Sequence, residues 1–117
     1  MKPAPIKDLI TMEDVDKPDI RVGTIVSVAE VTNSNKLMKL TVDLGDHTRQ
    51  ILAGIKQERD HPREIEGQQA LFVVNVPEKT MAGEVSQGML FDIGYADGLV
   101  PCLAQPEKAV PNGSRAG

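Results

Sequence analysis

Asp60-His61-Pro62-Arg63-Glu64-Ile65-Glu66-Gly67 reads as one or two turns of helix, opened near Pro62 and stopped by Gly67. It interrupts a series of strands. Upstream, Ile20 to Val28 is β-branched and alternates, with Ile20, Val22, Val26 and Val28 on one face. Arg21, Gly23, Ile25 and Ser27 take the other face, and Gly23 signals a bulge or a sharp coil. Thr32-Asn33-Ser34-Asn35 is a polar loop. Leu37 to Leu44 alternates again, with Met38, Leu40, Val42 and Leu44 inward and Lys39, Thr41 and Asp43 outward. Gly45-Asp46 opens a hairpin, and Thr48 to Ile55 returns as a third strand. Downstream of the helical turns, Gln69 to Val76 is apolar on both faces and reads as a buried strand. Pro77 to Gln87 reads as a polar loop, Gly88 to Gly94 as a fifth strand, and Leu99 to Leu103 carries the signal of a sixth.

Three strands, a short helix and two more strands is the order of an OB-fold, a small five-stranded Greek-key barrel. An SH3-like barrel is the competing architecture, and the helical turns between the third and fourth strands favour the OB-fold. The fold class is therefore all-β, an OB-fold barrel with short helices and a C-terminal extension. Residues 1–18 form an N-terminal extension, 19–94 the barrel, and 95–117 the C-terminal extension. Within the first, Thr11 caps a short helix through Lys17, acidic residues follow it, and Pro18 stops it.

The 117 residues suit a single domain, and 40 % are apolar, a globular content. That excludes a wholly disordered or collagen-like chain. No run reaches the ~18 apolar residues of a membrane-spanning helix. Met1 to Asp8 has no apolar segment of the secretory type. Cys102 has no second cysteine to pair with, so a reducing, cytoplasmic compartment is expected.

Thirteen basic residues against seventeen acidic ones give a net charge of −4. Polyanion binding usually leaves a basic footprint. The segment 20–57 is the locally basic part, with Arg21, Lys36, Lys39, Arg49 and Lys56 against Glu30, Asp43 and Asp46.

Asp19-Ile20-Arg21-Val22-Gly23-Thr24-Ile25-Val26 resembles the opening of the stand-alone tRNA-binding-domain family. Asn33-Ser34-Asn35-Lys36-Leu37, Val42-Asp43-Leu44-Gly45, Arg49-Gln50-Ile51 and Ala53-Gly54-Ile55 follow in family order. Gly67, Asn75, Lys79-Thr80-Met81-Ala82-Gly83 and Ser86-Gln87-Gly88-Met89-Leu90 complete the match over residues 14–94. Pro111-Asn112-Gly113 resembles the ending of the short bacterial members. The chain departs from the pattern at Thr32 and Asn35, where the family usually holds a proline and an aspartate, and in the charge-rich stretch between Lys56 and Gly67. The resemblance implies a non-catalytic, free-standing, homodimeric protein that recognises tRNA by shape and backbone. It also keeps two rivals open. One is a chaperone-like or export-related protein whose groove takes unfolded peptides. The other is an assembly module for an aminoacyl-tRNA synthetase.

Lys36 lies in the first inter-strand loop, which flanks the binding face of an OB-fold, and a lysine there pairs with phosphate as a point charge. Lys39 points outward from the next strand, and Arg49 is expected on the same face. The resemblance makes Ser86 and Gln87 contacts and Met89 a structural or stacking support; a plain loop-to-strand transition with a buried Met89 is the alternative. Lys79 stands on the same rim. Asn33 and Asn35 suit ribose or base edges, and equally suit a turn. Phe72 and Phe91 are expected in the core, which leaves few aromatics for a base-stacking platform and favours shape recognition. His47, His61 and Cys102 lack metal-ligand spacing, and Cys102 reads as an inert core thiol. Ser86 lacks a nucleophile-elbow pattern and no glycine loop cradles a phosphate. No catalysis, cofactor, metal or membrane contact is expected. The apolar Leu99 to Leu103 and Val110 to Gly113 lie beyond a finished barrel, so a second copy is expected to cover that extension, with Met12 and Val15 as a further contact.

Overall fold

The computed structural model describes residues 1–117. Helix α1 (Met12–Val15) is followed by strands β1 (Ile20–Glu30), β2 (Met38–Asp43) and β3 (Thr48–Ala53). A 3-10 turn (Pro62–Ile65) leads to β4 (Gln69–Val73), β5 (Lys79–Met81), β6 (Glu84–Ser86), β7 (Met89–Leu90) and β8 (Asp92–Ile93). A second 3-10 turn (Tyr95–Asp97), β9 (Cys102–Leu103) and β10 (Arg115–Ala116) complete the chain. The antiparallel main sheet runs β3-β2-β1-β4-β7, with β10 added beside β1. It is all-β and OB-like, as the order of elements predicts. No helix is long and apolar enough to cross a membrane.

The sheet curls over one core, in which Ile25, Leu40, Ile51, Ile65 and Phe72 are fully buried. Each such side chain contributes about 1.5–3 kcal/mol by leaving water. Ile65 explains the helical turns: the 3-10 turn drives it into the core as a plug. The next residue, Glu66, accepts the Val28 N–H at 2.8 Å, and the Gly67 N–H reaches the Ile25 carbonyl at 2.7 Å. Both bonds flank a bulge in β1. The register with β2 shifts between Ile25 and Ser27, so parity changes there and Val26 turns out to solvent. The expected face of Ile20, Val22, Val26 and Val28 is thus corrected: Ile25 and Val28 share the core, and Gly23 stays inside before the bulge. A Cβ on Gly23 would lie 2.5 Å from Val42 Cγ1, which is why no side chain fits.

Four further expectations are corrected. The loop Pro77–Gln87 contains the β5–β6 hairpin, turned by Ala82 and Gly83 with φ of 51° and 82°. The fifth strand breaks at Phe91, so only Met89 and Leu90 pair with β4, while β8 pairs with β9. Phe91 and Cys102 are exposed, because their neighbours Leu90 and Leu103 are the ones that pack on the core and leave them on the outward side. The C-terminal extension divides. Its later part packs on its own barrel, with Gln69 Nε2 donating to the Val110 carbonyl at 2.6 Å and to Asn112 Oδ1 at 3.0 Å. Gly113 fits against the Leu44 carbonyl and Gly45 against the Asn112 carbonyl, each too closely for a Cβ. Ile93, Tyr95, Leu99 and Val100 remain exposed, as do Met12 and Val15.

The sheet closes where β3 meets the segment entering β7. Leu52 N–H donates to Ser86 Oγ at 3.0 Å, and the Ser86 hydroxyl donates to the Gly88 carbonyl at 2.9 Å. Gln87 N–H donates to the Gln50 carbonyl at 2.8 Å, and Gln50 N–H donates to Gln87 Oε1 at 3.0 Å. Ser86→Ala leaves the buried Leu52 N–H without a partner, which costs about 1–3 kcal/mol. Equilibrium urea unfolding is expected to show that loss; an unchanged midpoint would remove Ser86 from the seam.

Candidate nucleic-acid interface

Antiparallel pairing places opposed residues on one face. Lys39 lies opposite Leu52 and Thr41 opposite Gln50, on the outer face of β2 and β3. Just before β2, the loop carrying Lys36 is tied down. Ser34 Oγ accepts the Lys36 and Leu37 N–H groups at 3.1 and 3.0 Å. Lys56 N–H donates to the Lys36 carbonyl at 3.1 Å, and Lys56 Nζ donates to the Ser34 carbonyl at 3.2 Å. Asn33, Asn35 and Lys36 point from this fixed loop into solvent, and the Lys36 ammonium pairs with no carboxylate.

The β5–β6 hairpin folds over the outer face of β3. Gln50 Nε2 donates to the Val85 carbonyl at 2.8 Å and to Glu84 Oε2 at 3.1 Å. Lys39 Nζ lies 3.4 Å from both Glu84 oxygens. Lys79 stands exposed on β5, opposite Ser86 in the hairpin register. Met89 is half exposed rather than buried, and it flanks an apolar recess with Leu52, Ala53, Ile55, Leu90 and Tyr95. The structure therefore gathers Lys39, Ser86 and Gln87 around the hairpin, with Lys36 three residues before Lys39. Ser86 itself is buried, and its hydroxyl donates one bond and accepts one within the seam. Gln50 and Glu84 are the participants that sequence reasoning passed over.

Arg49 belongs elsewhere. It lies opposite Val42, on the inner face, with the same parity as the buried Ile51. That parity was readable in the sequence and corrects the expectation that Arg49 shares the face of Lys39. Its guanidinium closes the barrel mouth, donating to the Val74 carbonyl at 2.7 Å, the Gln87 carbonyl at 3.0 Å and His47 Nε2 at 3.0 Å. His47 Nε2 thus accepts, and Nδ1 carries the proton toward Asp46 Oδ1 at 2.6 Å. That bond holds the Asp46 carboxyl below the usual carboxylate range. Arg21 lines the same mouth and grips Asp19 through Nε at 2.6 Å and Nη2 at 3.0 Å. At the mouth Arg21 is paired with Asp19 and the Arg49 donors are used on His47 and backbone carbonyls, whereas the Lys36 ammonium has no partner in the chain.

Comparison with known proteins gives one consistent result. The tRNA binding domain family matches residues 20–115. Methionine–tRNA ligase of Chlorobium chlorochromatii is 41 % identical over 107 residues, 92 % of this chain. The chain spans 15 % of that ligase's own length. Among solved structures, the MetRS-related protein of Pyrococcus horikoshii superposes with a TM-score of 0.86 at 33 % identity, covering 95 % of this chain and all of that one. The chaperone CsaA of Bacillus anthracis gives 0.80 at 29 % identity, covering 94 % of this chain and all of that one.

The mouth makes a prediction about pH. The Arg21 guanidinium holds the Asp19 carboxyl below its ordinary value of 3.8. A depressed carboxyl stabilises the fold above that ordinary value, and the contribution disappears as pH falls through the lowered one. Asp19→Asn is thus expected to lower the melting temperature slightly at neutral pH, with the gap closing in acid. Melting curves across the acid range check this; a gap independent of pH would assign the effect to something other than the ion pair.

Proposed function

The chain belongs to the tRNA binding domain family, and on that premise we propose that it binds tRNA in the cytoplasm, without catalysis and as a homodimer, by shape and phosphate backbone. The observation that carries this reading is the unpaired Lys36 ammonium on a loop held by Ser34 and Lys56. With the loop backbone already held, only the Lys36 side chain has to be ordered on meeting a phosphate. Lys39 and Lys79 extend the same charged rim toward the hairpin, and Asn33 and Asn35 add donors and acceptors beside Lys36. Gln87 and Ser86 shape this surface from below, and Met89 offers an apolar support next to it. Of the three aromatics Phe72 is buried and only Phe91 and Tyr95 are exposed, too few for a stacking platform, which favours backbone recognition.

Homodimerisation answers the net charge of −4. Two weakly basic rims on one ligand raise avidity without a strongly basic chain. The surfaces that suit a second copy are the exposed Ile93, Tyr95, Leu99 and Val100, together with the arm carrying Ile6, Leu9, Ile10 and Met12. The same module suits docking on an aminoacyl-tRNA synthetase. A peptide-binding role draws on a separate observation, the apolar recess beside Met89.

Lys36→Ala is expected to weaken binding of different tRNAs by about the same factor and to reduce the salt slope by about one contact. Lys108→Ala, on the tail, is the control expected to change little. Titration of several tRNAs at a series of salt concentrations measures both. Equal, negligible effects of the two changes would dismiss this rim, and tight binding of unfolded peptides with none of tRNA would favour the second reading. Light scattering of the intact chain is expected to give twice the chain mass; a monomer at micromolar concentration would refute the dimer.

A further inference from the structure

Lys39 is the one lysine of the charged rim that already has an anion. Glu84 sits at the tip of the β5–β6 hairpin, and both its oxygens lie 3.4 Å from Lys39 Nζ. Ammonium–carboxylate hydrogen bonds usually run about 2.7–2.9 Å, so this pair is long. Lys17 and Asp14 of the same chain approach to 2.7 Å. The two side chains are 31 % and 35 % exposed, so water and ligand reach both. Pairs of that kind are worth about 0–1 kcal/mol and are readily exchanged. The hairpin does not depend on the pair, because Gln50 Nε2 independently donates to the Val85 carbonyl and the Ala82–Gly83 turn sets its shape.

We propose that Glu84 is an internal stand-in for a ligand phosphate: it occupies Lys39 until a phosphate of bound tRNA displaces it. This rests on the tRNA-binding reading above. The exchange makes Glu84 a specificity-determining residue. A folded tRNA held at Lys36 presents a phosphate to Lys39 at high local concentration and wins the exchange. A flexible single strand orders itself for the same gain and wins less often, so the resident carboxylate selects against it.

The test uses the full chain with Glu84→Gln, which keeps the size and the Gln50 contact but removes the charge. Binding of one folded tRNA and of one single-stranded RNA oligonucleotide is titrated across salt concentrations. Glu84→Gln is expected to tighten tRNA binding by about 3- to 10-fold and to steepen the salt slope by about one contact. The single strand is expected to gain more than the tRNA, so discrimination falls. In the Glu84→Gln background Lys39→Ala is expected to abolish the gain, whereas in the native background it costs little. Glu78→Gln removes a charge from the same hairpin arm without touching a lysine and is expected to give the smaller change. An unchanged Kd and slope for Glu84→Gln, with native tRNA binding intact, would overturn the proposal. So would a gain that persists in the double variant or equals that of Glu78→Gln. Absence of tRNA binding in the native chain and in Glu84→Gln alike would overturn the tRNA reading itself.

Discussion

The seam between β3 and the entry to β7 governs the rest of the molecule. An antiparallel sheet that curls must close or leave an edge, and an open edge exposes backbone donors. Here the closure is made largely by side chains. Ser86 supplies the oxygen that a neighbouring strand would supply, and Gln87 does the same with its amide. Gly88 then passes where a Cβ would lie 2.9 Å from the Val73 carbonyl. The seam holds the β5–β6 hairpin over β3, and the hairpin brings Glu84 to Lys39. The charged rim thus inherits its geometry from a hydrogen-bonded join at its base.

Much of this was legible in the chain because it is periodic. The first three strands follow from alternation, the fourth from its apolar run, and the OB-like order from the one helical interruption; that Ile65 plugs the core and that β4 buries one face only are seen in the structure alone. The failures have physical causes. A bulge changes parity without a composition signal, so counting by twos groups the exposed Val26 with the buried Val22 and Val28. The hairpin strands are three residues each, too short for a period to register. Phe91 and Cys102 sit beside Leu90 and Leu103, which pack on the core, and in strands of two residues apolarity alone does not report which of two neighbours points inward. The chemistry of Ser86 and Gln87 invites a ligand reading, because a hydroxyl that replaces a strand partner and one that meets a phosphate are the same group. Arg49 differs: its parity with Ile51 was available.

The two ends of the barrel divide the labour. At the mouth, Arg21 and Arg49 spend their donors on Asp19, His47 and backbone carbonyls, and the tail locks beside them through the close fit of Gly45 and Gly113. Those cations hold the chain together. At the loop end, the backbone around Lys36 is fixed while its ammonium is left free. Sequence type does not separate the two roles; the partner of each charge does.

The free ammonium at one end and the engaged guanidinium groups at the other give the molecule a direction. Its overall charge is negative, so a polyanion met at random is repelled. On the proposed reading, encounter with RNA is productive when the Lys36 end leads, because an unpaired ammonium attracts phosphate within roughly one Debye length, about 8–10 Å in physiological salt. Under that reading the asymmetry would act on kinetics before it acts on equilibrium, slowing capture from wrong orientations and letting collisions that present the Lys36 end dominate the association rate.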